Sequence, residues 1–320
     1  MLNNKNGFIT VVLLAIVVIG ISLVLLIPYL RSLDSNNSTG PKVATTIYPL
    51  YDIVRNVAGE NVETVLLLPP GASPHTFDPS PGDLQEIAGS DTVFMIGHGL
   101  DDWTADIATS AGVDSLKVVD TNIILMENEE DGHHDHEDDE SHDEVDHEDD
   151  HDHGPINPHY WLSIPNAILI TQTVSEELSQ LYPELSGTFK TNADEYIATL
   201  SDLQTEFELS LTGASPQIAT FHNAWGYFAE SLDIEIVTTF EEYAGQEPSA
   251  SYLAEFQEHI EEHQVTVIFA EPQLSTNALE PIAADLGATI SILDPLGGVE
   301  GRETFVDLMR YNVSQIVATI

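Results

Sequence analysis

The chain reads as an α/β protein: two lobes, each a parallel sheet flanked by helices, joined by one long helix and preceded by a membrane-spanning segment. Three observations carry this. Short apolar runs alternate with helical patterns before residue 184 and again after residue 212. The interval between is a single amphipathic run, and residues 8–30 carry no charge at all.

The uncharged stretch comes first. Its 23 residues, at about 1.5 Å each, reach roughly 34 Å, enough to cross a hydrocarbon core of about 30 Å. No small-residue cleavage site follows in "IPYLRS" or "SLDSNNS", so the segment reads as an uncleaved anchor, with a cleaved signal as the alternative. Lys5 and the terminal amine precede it and the acidic bulk follows, which favours amine-in, bulk-out. The polar "SLDSNNSTGP" then completes an anchor and linker over residues 1–41.

The first lobe is expected over residues 42–183. "KVATTIYP", "VETVLLLPPG", "DTVFMIGHG" and "SLKVVD" have the short apolar form of strands. "LYDIVRNVAG", "PGDLQEIAGS" and "LDDWTADIATSAG" between them have helical form. A further helix opens at "SIPNAILITQTVSEELSQLYP", with Leu169, Val174, Leu178 and Leu181 at helical spacing. Residues 184–212 form the linking helix, Phe189, Tyr196, Leu200, Leu203 and Phe207 recurring every three or four positions without an internal proline. Beyond "TGASP" the alternation restarts over 213–320: "QIATFH", "EIVTTFEE", "VTVIFAEP" and "ATISILDP" as strands, with helices from Trp225, Ser249, Thr276 and Glu303.

Charge narrows the function classes. The chain carries 54 acidic and 8 basic residues, a formal charge of −46. Sixteen of the acids lie between Glu127 and Asp152, and the remainder still sums to 38 − 8, or −30 without them. Such a surface repels nucleic acid and attracts cations. There is no cysteine, which excludes disulfides, thiolate ligands, a cysteine nucleophile and a lipidated cysteine. A metal must therefore be held by imidazole and carboxylate.

Ligands in open parallel sheets bind at the carboxyl ends of strands. Four candidates stand at or near such ends: His75 after "VLLLPPGASP", His159 in "NPHYW", His222 ending "QIATFH" and Asp294 in "ATISILDP". One histidine near a strand end is more often an ordinary core residue; the convergence of four is what points to a metal. Three imidazoles and one carboxylate suit Zn²⁺ far better than Mg²⁺ or Ca²⁺. His98 in "IGHGLDDW" and Glu271 in "FAEPQ" are candidates to hold a ligand in place rather than to bind the ion. His259 and His263, one turn apart in "FQEHIEEHQ", read as a polar helix face.

"LPPGASPHTFDPSPGDLQEI", "NPHYWLS", "FHNAWGYFAE", "GQEPSA", "FAEPQ" and "ILDPLGG", in this order from Lys42 to Ile320, resemble the zinc- and manganese-binding solute-binding proteins of metal-uptake ABC transporters. The resemblance implies two pseudo-symmetric lobes bridged by a rigid helix, with the metal between them. It places the ligand set on His75, His159, His222 and Asp294. A histidine at the third position resembles the zinc branch, where the manganese branch typically has glutamate, so Zn²⁺ is expected ahead of Mn²⁺. It also implies an ABC permease with its cytoplasmic ATPase as partner. One departure is plain: many relatives are tethered through a lipidated cysteine, absent here, and the apolar span would take that role.

The tract from Glu127 to His153 has no apolar periodicity and dense negative charge, and is expected to be disordered. His133, His134, His136, His142, His147, His151 and His153 are irregularly spaced within it. They read as a low-affinity collector beside the ordered site, as zinc-type relatives often carry; a plain solvated spacer is the alternative. Two other functions compete with a receptor. A zinc hydrolase would need an open coordination position and a general base, and no "HExxH" helix is present. A metal-storing or adhesive surface protein would bind many ions at moderate affinity.

Overall fold

The central strands of each sheet are buried on both faces, and this is why they read as continuous apolar runs rather than as alternation. The computed structural model describes residues 40–128, 155–241 and 248–320. The expected span over residues 8–30 and the seven tract histidines lie outside the described residues. Among the described residues no helix is long and apolar enough to cross a membrane.

The first sheet contains β1 (Lys42–Thr45), β2 (Glu63–Leu66), β3 (Thr92–Met95) and β4 (Leu116–Val118), all parallel, in the order β2-β1-β3-β4. The second contains β5 (Gln217–His222), β6 (Glu235–Glu241), β7 (Val267–Ala270) and β8 (Thr289–Ile292), parallel in the same relative order, β6-β5-β7-β8. Each order reverses beside its first strand. That creates a crevice at the carboxyl ends of β1 and β3, and another at those of β5 and β7.

Strand periodicity of two distributes side chains between cores. Val43 and Phe94 enter a large cluster shared with Trp161, Phe207, Trp225 and Phe269, while Ala44 and Val93 pack outward with Ile87 and Ile107. Phe221, Ile268 and Ala270 likewise turn outward, against Phe240 and Phe256. The large cluster draws on both sheets, and Pro41–Ile320 forms one compact unit.

The helices begin where local chemistry allows. α1 (Tyr48–Ala58) carries proline in its first turn and stops at Gly59, whose φ of 61° suits glycine. α2 (Pro81–Ile87) is opened by a capping box in which Ser80 and Asp83 satisfy each other's backbone N–H groups. α3 (Thr104–Ala111) ends at left-handed Gly112. α4 (Ile164–Leu181) and α5 (Ser186–Ser210) follow, then α6 (Gly226–Leu232), α7 (Ala250–Glu262), α8 (Leu279–Leu286) and α9 (Phe305–Val317). α5 is the expected long helix. It buries Phe189, Tyr196, Leu200, Leu203 and Phe207 and packs against α4, α1 and α9.

Two local expectations need correcting. The buried stripe of α4 runs through Ile170, Val174 and Leu178, and Leu169 is only partly covered, because neighbouring apolar residues left the helix phase ambiguous by one position. The ordered chain also extends past the expected start of the acidic tract. Glu127 pairs with Ile156 in an antiparallel bridge, and the Asn128 N–H donates to the Pro155 carbonyl at 2.9 Å. The tract thus leaves and re-enters through one backbone neck, two residues from Asn157.

Candidate metal centre

Three of the four expected ligands meet. His75 lies on the helical turn Pro74–Thr76 beyond β2, and His159 immediately precedes the turn Tyr160–Leu162. His222 is the last residue of β5, at the crevice where the second sheet reverses. One ligand atom from each lies within 4.8 Å of the others. His159 Nε2 is 3.3 Å from His75 Nε2 and 3.4 Å from His222 Nε2. A tetrahedral ion bound to nitrogen at about 2.0–2.1 Å sets neighbouring donors about 3.3–3.4 Å apart, so these spacings match two edges of a zinc polyhedron.

The remaining ring nitrogens explain why the Nε2 atoms can serve. His159 Nδ1 lies 2.9 Å from Asn157 Oδ1, while Asn157 Nδ2 donates to the Asn223 carbonyl at 2.9 Å. That second bond fixes the amide orientation, so Oδ1 must accept from Nδ1–H and the Nε2 lone pair faces inward. His222 Nδ1 lies 2.6 Å from Glu271 Oε1, which also accepts from Trp225 Nε1 at 3.1 Å. The contact falls short of hydrogen-bond geometry, so the carboxylate lies against the polar N–H edge of the ring rather than in line with it. A carboxylate there keeps the proton on Nδ1. Two Nε2 lone pairs then point at each other, an arrangement that a cation relieves.

Burial reinforces this. His159 and His222 are almost wholly covered. Desolvation holds the His159 imidazole well below its ordinary pKa, with His222 and His75 adding to the effect, so the ring stays in the neutral form that binds metal. Trp161, Gln273, Leu274, Pro295 and Leu296 complete the cavity wall.

Asp294 is placed differently. It is buried beyond the end of β8 but is not one of the clustered ligands. Its Oδ2 accepts from Arg302 Nη1 at 2.8 Å, and its Oδ1 accepts from Gln273 Nε2 and the Leu296 N–H, each at 3.0 Å. Its backbone is held at both ends by Asn312. His98 does not line this cavity: Nε2 pairs with Asp120 Oδ2 at 2.9 Å and the ring lies edge-on to Tyr160. Glu271 does touch a site histidine, as a ligand-holding residue would. His259 and His263 form a separate group with Glu262 on the last turn of α7.

Sequence reasoning missed Asn157, Gln273 and Arg302. Asn157 had a local signal, an amide two residues before a candidate ligand, whereas Gln273 and Arg302 reach Asp294 only through the tertiary fold.

The profile of a family described as ZnuA, the periplasmic component A of the zinc-uptake complex, matches residues 43–319. The chain is 28% identical over 286 residues to the zinc-binding protein AdcA of Streptococcus pyogenes serotype M3, covering 87% of this chain but only 56% of that protein. It thus spans about half the length of that relative. It is 29% identical over 292 residues to the high-affinity zinc uptake system protein ZnuA of Bacillus subtilis, covering 88% and 89% of the two chains. Among solved structures, a zinc-bound ZnuA deletion mutant superposes with a TM-score of 0.73 at 24% identity, covering 88% of this chain and 98% of that one. The solute-binding protein FpvC of Pseudomonas aeruginosa with Ni²⁺ gives 0.72 at 25% identity, covering 88% and 97%.

Proposed function

The chain belongs to the ZnuA family of periplasmic zinc-uptake components, and from that premise we propose that it is the metal-capturing receptor of an ABC transporter. Zn²⁺ is its cargo, taken onto the Nε2 atoms of His75, His159 and His222, with the Asp294 carboxylate as fourth ligand. The convergence of His75, His159 and His222, with His159 Nε2 at zinc-like spacing from the Nε2 atoms of the other two, carries this reading. Three nitrogens and one oxygen favour zinc over manganese, which prefers harder donors. A cargo site filled by four protein ligands leaves no position for an activated water, so no catalysis is proposed.

The molecule is read as two lobes, residues 42–183 and 213–320, joined by the helix over 184–212. The repeated strand order supports that division. The receptor works at the extracytoplasmic face, tethered by the apolar segment over residues 8–30. It delivers zinc to a membrane permease driven by a cytoplasmic ATPase.

Zinc titration calorimetry on the full chain and on His159→Ala tests the reading. One tight site above a background of weak ones is expected, and the tight site alone should vanish in the variant. Weak binding throughout, unchanged by the substitution, would instead favour a surface protein that stores metal.

A further inference from the structure

We propose that Arg302 is a positioning residue that competes with the metal for Asp294, so that the fourth ligand is delivered by exchange of one cation for another. The proposal rests on Asp294 being a ligand, as read above.

The two oxygens of Asp294 have different partners. Oδ1 is held by two neutral donors, the Gln273 amide and the Leu296 N–H. Oδ2 is held by the Arg302 guanidinium. Neutral donors to one oxygen orient a carboxylate without neutralising it, as outer partners of metal ligands commonly do. The charge is balanced through Oδ2 alone. Making that oxygen available to a metal requires a single partner to let go, while Gln273 and Leu296 keep the group aimed.

Electrostatics drives the exchange in one direction. The Asp294 side chain is 2% exposed, so it cannot be left unpaired without a large cost. It therefore needs a cation at all times. A dication arriving at the three imidazoles attracts Asp294 and repels Arg302. Gln273, Leu296 and Pro295 line the same cavity as the histidines, so the carboxylate's anchor points are already part of the cavity wall.

The guanidinium also has somewhere to remain. Its carbon lies 4.6 Å from the centre of the Tyr311 ring, and its side chain is 18% exposed where Asp294 is not. Arg302 sits on a tight turn closed by hydrogen bonds from its own N–H to the Val299 carbonyl and from the Gly298 N–H to its carbonyl. The arrangement runs in reverse on release: when zinc leaves, Arg302 takes back the carboxylate, so the emptied site does not hold a bare buried charge. Arg302 thereby lowers zinc affinity and eases unloading.

The test is zinc affinity by competition with a chelator of known strength, on the full chain, for Arg302→Ala, Arg302→Gln, Asp294→Ala, His159→Ala and the Arg302→Ala/Asp294→Ala pair. Removing the guanidinium should tighten zinc binding about tenfold, opposite in sign to the roughly 10- to 100-fold loss that removing an outer partner of a ligand ordinarily causes. That gain should disappear when Asp294 is also alanine. Unchanged or weaker binding in both Arg302 variants, with Asp294→Ala still weakening it, overturns the competition and leaves the ligand assignment standing. No effect of Asp294→Ala, with binding lost in His159→Ala, overturns both the fourth ligand and the competition. Tight binding that survives His159→Ala overturns the receptor reading itself. A measurement on the unaltered chain guards against variants that fail to fold: the guanidinium protons of Arg302, one of four arginines, should exchange with solvent faster once zinc is bound. Equal exchange with and without zinc overturns the proposal.

Discussion

Asn157 places a site histidine with both ends of its amide, one on His159 Nδ1 and one on the backbone beside His222. Asn157→Ala should weaken zinc binding about 10- to 100-fold while leaving the circular dichroism of the chain intact, measured by chelator competition. His159 also sets a pH dependence in the zinc-free protein. Its pKa is depressed in the fold, so its contribution is complete above about 6.5, where folded and unfolded rings are both neutral, and is lost as the pH falls toward the folded value. Asp101 opposes it. Burial pushes that carboxyl up to about 6, even though it accepts the Ile96 and Gly97 N–H groups, so the folded state takes its proton first and stability rises as the pH falls through 6 toward 3.8. His159→Gln removes only the falling component. Between pH 7.5 and 5.5 its melting temperature should move upward relative to the parent, and parallel curves would show that His159 titrates in the ordinary range. His222 was legible because an imidazole ends an apolar strand, whereas His75 and His159 lie on turns and were legible through the motifs around them. The competition for Asp294 was not, since Gln273 and Arg302 share no spacing with it that marks a contact.

At the scale of elements, strands and helices were legible wherever burial on both faces or a single apolar stripe left a period in the sequence. The miss at Leu169 arose where apolar residues crowd α4, so that phase could not be read without knowing what the helix packs on. The neck at Glu127 was hidden because a pair of backbone hydrogen bonds has no side-chain signature. Gly298 is another feature that only tertiary approach explains. It has a φ of 76°, and a Cβ built there would meet the Tyr48 ring at 2.7 Å; Tyr48 opens α1 and donates from its hydroxyl to the Glu303 carbonyl. A segment beyond β8 is thereby fitted directly against the first helix. Gly298→Ala should destabilise the chain by about 1–3 kcal/mol through overpacking, read from denaturant unfolding. Adding Tyr48→Ala should recover only part of that, because the left-handed backbone still disfavours alanine. Full recovery would mean that the clash alone sets the cost.

At the scale of the whole molecule, the charge of −46 works on any approaching cation before a ligand does. A strongly negative protein raises the local concentration of cations and speeds their capture, and the effect collapses as salt shortens the Debye length from about 10 Å at 0.1 M to about 3 Å at 1 M. Residues 129–154, with fifteen acids and seven histidines, join the described chain at Asn128 and Pro155, two residues from Asn157, and so are close to His159 in sequence. If the tract is a collector, its influence belongs to arrival and not to residence, because in the proposed receptor the residence time is set by His75, His159, His222 and Asp294, which lie outside it. Deleting residues 129–154 should therefore slow zinc association several-fold at low salt and have little effect near 1 M, while the dissociation rate from the tight site stays constant, as stopped-flow mixing with a chromogenic chelator would record. A faster dissociation rate after deletion would mean that the tract lends the site a ligand. An unchanged association rate would reduce it to a solvated spacer, leaving the remaining charge of the chain, 39 acids against 8 bases or −31, to do the steering.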